Sequence, residues 1–174
     1  MAIIKPVLGK HPKIGDNCFL AENAVVVGDV TMGDRCSIWF GAVLRGDVNS
    51  ITIGDQVNIQ DNATIHCTYQ KHPTTIGNYV SIGHNAIVHG CTLHDRVLVG
   101  MGAIVMDGVV IESNTIIAAG AVVLEGTHCE SGSIYAGVPA KKVKSITPEL
   151  VSGEIERIAN NYTMYSSWFK DEAQ

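Results

Sequence analysis

An aliphatic side chain returns at every sixth residue through most of this chain. The tripeptides IGD at 14–16, MGD at 32–34, IGD at 53–55, IGN at 76–78 and IGH at 82–84 set the register. One mark per hexad falls on Ile14, Leu20, Val26, Met32, Ile38, Leu44, Ile53, Ile59, Ile65, Ile76, Ile82, Val88, Leu93, Val99, Val105, Ile111, Ile117 and Val123. All 18 are Ile, Leu, Val or Met, types that fill only 51 of 174 positions, so chance does not explain the pattern. The residue two before each mark is mostly small or β-branched, from Cys18, Ala24 and Val30 to Thr115 and Ala121.

A period of six is not a helical period. It is the period of a short strand and a corner, repeated. The large aliphatic points inward, and the small residue two before it shares that face. Three such sides close a coil of 18 residues, so 18 hexads predict about six triangular coils stacked at ~4.8 Å. The pattern resembles the hexapeptide-repeat proteins, which implies an all-β, left-handed parallel β-helix. The left hand comes from the resemblance, since the general crossover rule gives right-handed connections. The repeat covers about residues 8 to 138, followed by YAGVPAKKV at 135–143, an exit segment also seen in that superfamily.

Residues 1–146 are thus read as the β-helix domain with its exit segment, and 147–174 as a C-terminal helix. Thr147 stands as N-cap with Pro148 at the first helical position. Val151, Ile155, Ile158, Tyr162, Tyr165 and Phe169 form one apolar stripe. Net charge is -5, with no basic run longer than Lys141-Lys142, which argues against nucleic acid or an anionic membrane as partner. No apolar run reaches signal-peptide or membrane-spanning length, and the expected address is cytoplasmic. Five cysteines without a CxxC do not make a disulfide framework; Cys18, Cys36 and Cys91 are expected to serve packing.

The period breaks at three places. Leu44 to Ile53 is nine residues, Ile65 to Ile76 eleven, and Val88 to Leu93 five. These marks are three hexads apart, so every break follows the same side of successive coils. Departures gathered in one column indicate a site. One position past each mark stand Arg45, His66 and His89, an outward ladder. His66 and His89 become neighbours at ~5 Å across one coil, a good spacing for two imidazoles on one metal ion. His84 lies on the preceding side, above Asp61, and Asn58 and Gln60 flank Ile59 there, pointing outward. Outward columns on two sides of a convex prism diverge. They meet only if a second chain presents its His84 side, a contact that closes into a homotrimer.

Three histidines so placed, with RGD at 45–47 and NIQDN at 58–62, resemble the γ-class carbonic anhydrase family. The resemblance covers nearly the whole chain. It implies a zinc ion, with iron as the alternative, held between subunits by His66 and His89 of one chain and His84 of the next. Three neutral imidazoles leave the ion its full charge and an open position where the pKa of water falls to about 7, a source of hydroxide for carbon dioxide. The resemblance further implies that Gln60 orients hydroxide and substrate, with Asn58 in the same pocket. Arg45, Asp47 and Asp61 match a charge cluster at the subunit interface, catalytic or purely structural. Tyr162 matches a tyrosine that approaches the site. The sequence departs from the family's archetype in its proton-carrying glutamates: Val48 follows RGD, and the loop Cys67–Thr75 contains no acid. Two other readings stay open, a coenzyme A-dependent acyltransferase on the same fold and a non-catalytic metal-binding trimer.

Overall fold

The computed structural model describes residues 1–171 and shows a left-handed parallel β-solenoid of about seven turns with one C-terminal helix. On the first face the strands stack upward from Ile3–Lys5 through the first halves of Val25–Met32 and Val43–Ile53, then Thr64–His66, Ile87–His89, Ile104–Val105 and Val122–Val123. The second face runs from Lys13–Ile14 to His128–Cys129, and the third from Phe19–Leu20 to Ser133–Ala136.

The coils exceed the six expected because both ends carry marks that the hexad rule hides. Ile4 pairs with Val26 in mark register, yet stands ten residues before Ile14, since Val7 and Lys10 fold back on each other between them. Cys129 and Tyr135 continue the columns of Ile111 and Ile117 with side chains outside the four aliphatic types.

The period dictates the core. Ile38, Leu44, Ile59, Ile65, Ile82 and Val88 are fully buried, and so are Ala24, Ala42, Ala63, Ala86 and Ala103, where the coil narrows towards the first face. The recurring IGD acts at the corner between the second and third faces. There the Asp16 N–H donates to Asp34 Oδ1 at 2.8 Å and the Asp34 N–H to Asp55 Oδ1 at 2.9 Å, so each carboxylate caps the backbone of the neighbouring coil. A Cβ on Gly33 would stand 2.9 Å from the Gly54 backbone, which is why a glycine precedes that carboxylate. Cys36, Cys67, Cys91 and Cys129 are buried; a hydrogen bond with Cys18, then burial, raises the Cys36 thiol and burial raises the other three, consistent with packing rather than reactivity.

The top coil ends in an antiparallel pair, Ser133–Ala136 with Lys141–Ser145. Thr147 then caps the helix as expected, its side chain accepting the Leu150 N–H at 3.4 Å. Residues Val151–Glu156 form a wide π turn before the regular helix Arg157–Asp171. That turn shifts the face presented inward: Ile155, Ala159 and Ser166 are buried, while Ile158 and Tyr165 move to the flank of the expected stripe. The helix lies along the third face. Phe169 packs on Phe19, Trp39 and Phe40, with ring centroids 5.4 to 5.7 Å apart, and Gln56 Nε2 donates to Asn160 Oδ1 at 2.8 Å.

Candidate metal centre

The parallel register places His89 directly above His66 at the end of the first face, although 23 residues separate them. Arg45 ends the same face one coil below, beside Val27. The imidazoles meet edge to face with centroids 5.0 Å apart, and His66 Nδ1 stands 3.0 Å from His89 Nε2. Their other nitrogens lie against carboxylates: His66 Nε2 is 3.1 Å from Asp47 Oδ1, and His89 Nδ1 is 2.6 Å from Asp107 Oδ1. The column therefore reads Asp47, His66, His89, Asp107.

Electrostatics fixes the protons. Burial pushes the Asp47 carboxyl up, but hydrogen bonds from Arg45 and His66, with the Arg45 charge, outweigh it and hold the group below its usual range. The same contest at Asp107, between burial and hydrogen bonds from Thr68 and His89, again ends below the usual range. Both are carboxylates that only accept, so the N–H lies on His66 Nε2 and His89 Nδ1. Burial, aided by Arg45 and His89, also holds the His66 imidazole below its usual pKa despite the Asp47 hydrogen bond. The remaining nitrogens, His66 Nδ1 and His89 Nε2, face each other at 3.0 Å.

Such a pair fits a cation. Two nitrogens each at about 2.0–2.1 Å from a tetrahedral zinc ion stand ~3.3 Å apart, close to the observed separation. Carboxylates behind ligating imidazoles are the usual arrangement in metal sites.

His84 occupies the opposite corner. It follows Ser81–Ile82 of the third face, and its Nδ1 lies 2.8 Å from Asp61 Oδ2, one coil below. All three histidines thus share one device, a carboxylate at the outer nitrogen. His84 stands at the corner before the first face and His89 ends its strand Ile87–His89, so that side of the prism separates them. Among the described residues, a single chain gathers no set of three or more His, Cys, Asp or Glu able to hold a metal ion.

Beside His84 opens a cleft of about 360 Å³ between the third face and the helix, lined by Gln60, Met101, Arg157, Tyr162 and Tyr165 among others. Gln60 and Asn58 point out of the prism as expected, yet both are buried, because the helix covers them. Gln60 Nε2 donates to Asn58 Oδ1 at 3.0 Å, and Asn58 Nδ2 to Ser81 Oγ at 2.7 Å. The Tyr162 hydroxyl stands 3.3 Å from His84 Nε2, and its ring packs edge-on against Trp39. Burial, then the Asp61 and Tyr165 charges, push the Tyr162 phenol up to about 12, so it stays a donor. Arg45 and Asp47 form an ion pair at 2.6 Å. Val48 packs against the core.

Sequence reasoning missed Asp107 and Thr68, whose hydroxyl donates to Asp107 Oδ2 at 2.6 Å. The signal for Asp107 was its distance of 18 residues, one coil, from His89. His94 and His128 meet Glu112 on the second face, away from this column.

The model of the bacterial transferase hexapeptide family (six repeats) matches residues 11–46 and 90–125. A carbonic anhydrase of Geobacillus kaustophilus is 43% identical over 168 residues, covering 97% of this chain and 91% of the relative. The mitochondrial gamma carbonic anhydrase 1 of Arabidopsis thaliana is 43% identical over 166 residues, covering 92% of this chain; the chain spans 59% of that relative's length. Among solved structures, a hexapeptide transferase family protein from Anaplasma phagocytophilum superimposes with a TM-score of 0.91 at 41% identity, covering 96% of this chain and 98% of the other. No helix among the described residues is long and apolar enough to cross a membrane.

Proposed function

The chain belongs to the γ carbonic anhydrase family of hexapeptide-repeat proteins, and we propose that it is a zinc-dependent lyase, with iron as the alternative metal, that interconverts carbon dioxide and bicarbonate at sites shared between the subunits of a homotrimer. One observation carries the reading: His66 Nδ1 and His89 Nε2 face each other at 3.0 Å, each backed by its own carboxylate. His84, the third imidazole of the set, sits a face away and reaches such a pair only from a neighbouring chain. An acyltransferase on this fold has no need of three histidines, each held at its outer nitrogen.

The chain's own groups have distinct tasks. His66 and His89 supply a ready pair of nitrogen donors, and His84 supplies one to the adjacent subunit. A zinc ion so held contributes water acidified to a pKa of about 7. Asp47, Asp61 and Asp107 keep the imidazoles oriented and their outer nitrogens protonated. Gln60, fixed by Asn58, presents its carboxamide in the cleft to orient the reacting oxygen and bicarbonate. Tyr162 orients His84 by a hydrogen bond at Nε2, the ring nitrogen opposite Asp61 that would be free to serve a metal ion. Arg45 steadies Asp47 and through it His66. With Val48 in place of an acid and none between Cys67 and Thr75, proton exit relies on buffer or on His72, and turnover is slow.

The test is the metal content of protein purified without oxygen, with carbon dioxide hydration measured on the same sample. Stoichiometric zinc or iron with hydration above the buffer rate supports the reading. Metal without hydration leaves only the metal-binding trimer, and neither metal nor hydration overturns the proposal.

A further inference from the structure

We propose that Asp107, locked by Thr68 of the loop after His66, is a positioning residue that presets His89 with its proton on Nδ1 and its Nε2 turned toward His66. The purpose of this arrangement rests on the metal reading above; its geometry does not.

Both oxygens of Asp107 are engaged. Oδ1 accepts the His89 Nδ1–H at 2.6 Å, and Oδ2 accepts the Thr68 hydroxyl at 2.6 Å, so the carboxylate is held at one edge while it holds the imidazole at the other. A carboxylate tethered in this way cannot swing aside and let the imidazole flip. A hydrogen bond this short to an ionised acceptor is of the stronger, charge-assisted kind.

The three breaks in the hexad period converge on this one group. The first supplies Asn49, whose Nδ2 donates to the Thr68 carbonyl at 3.2 Å and anchors the loop. The second, the long excursion after Ile65, supplies Thr68 itself. It also supplies Thr74, whose hydroxyl donates to the His66 carbonyl at 2.6 Å and accepts the Gly90 N–H at 3.0 Å. The third, the shortened step after Val88, places Gly90 directly after His89 with φ +52. A Cβ at Gly90 would press on the Asp107 carboxylate and stand 2.9 Å from His72 Cβ, so only glycine lets Asp107 reach His89. The inserted loop brings no acid of its own. Its contribution is a hydroxyl that holds an acid from another coil.

The experiment compares wild type with Asp107→Ala, Asp107→Asn and Thr68→Val. In metal-free protein, nitrogen NMR of the imidazoles reads which His89 nitrogen bears the proton. Zinc affinity is read separately by competition with a chelator. Wild type should carry the proton on Nδ1. Asp107→Ala should move a large share of it to Nε2 and weaken zinc binding by about 10- to 100-fold. Asp107→Asn keeps an acceptor oxygen and should recover the wild-type tautomer and most of the affinity, which a purely structural role would not require. Thr68→Val should fall between. An Asp107→Ala protein with the wild-type tautomer and wild-type affinity overturns the proposal. Should that variant fail to fold, Thr68→Val decides, a shifted tautomer supporting the proposal and an unchanged tautomer and affinity overturning it. Wild type that takes up no zinc sinks the metal reading alone, because the tautomers of the metal-free variants still decide the role of Asp107.

Discussion

His66 Nδ1 and His89 Nε2 lie 3.0 Å apart although their residues are 23 positions apart in the chain. One full coil of solenoid, with the long loop folded into it, produces that contact. His84 and His89, only five positions apart, stand at opposite ends of the first face. Sequence distance and spatial distance are inverted here, because a solenoid brings together residues a coil apart and separates those a face apart.

Single replacement of His66, His84 or His89 by Ala should remove most of the bound metal, since each change leaves two protein ligands. His94→Ala and His128→Ala, on the second face, should retain it. Elemental analysis after gel filtration checks this. Full metal in His84→Ala would place the site within one chain.

The particle in solution should weigh about three times the chain mass of 18.6 kDa. Light scattering on metal-loaded protein measures it. A monomer with metal bound would contradict the shared site.

Ile65 is fully buried directly beneath the column, between Thr64 and His66. Ile65→Ala should cost about 2–5 kcal/mol of stability, through lost burial and the cavity left behind. Denaturant unfolding measures the loss, and a cost below about 1 kcal/mol would mean that the coil collapses onto the gap.

Tyr162 gives a signature at high pH. Its phenol is pushed from 10.0 to about 12 in the fold, so folding disfavours its deprotonation. A raised acid stabilises the fold fully below its unfolded value, and the contribution is lost as pH rises from there through about 12. Tyr162→Phe should therefore lose less melting temperature than wild type between pH 10 and 12. Equal losses in the two proteins would show that the phenol is not protected.

The architecture was legible because a solenoid repeats one physical decision at every coil: a large aliphatic in, a small residue where the prism narrows. It became illegible where a different side chain met the same need, as with Cys129 and Tyr135 in the last coil. The histidine column was legible for the same reason, since register follows from counting hexads. Burial of Asn58 and Gln60 was not, because nothing in their own strand announces that a helix about a hundred residues later will cover them. Nor was the one-residue shift of that helix, which comes from the π turn at Val151–Glu156 rather than from any break in the apolar stripe. Asp107 escaped because aspartates abound at the corners as backbone caps, and type alone does not separate a cap from an imidazole partner.

The proposed metal centre requires that each site join His84 of one chain to the His66/His89 pair of the next. Mixing two inactive variants, His84→Ala and His66→Ala, with subunit exchange tests it most directly. Interfaces that pair the intact His84 of the second variant with the intact pair of the first are wild-type in composition, so part of the metal binding, and of any hydration activity, should return. A mixture of His66→Ala with His89→Ala should stay inactive, because both losses fall in the same chain's contribution. Recovery in that second mixture equal to the first would contradict the assignment.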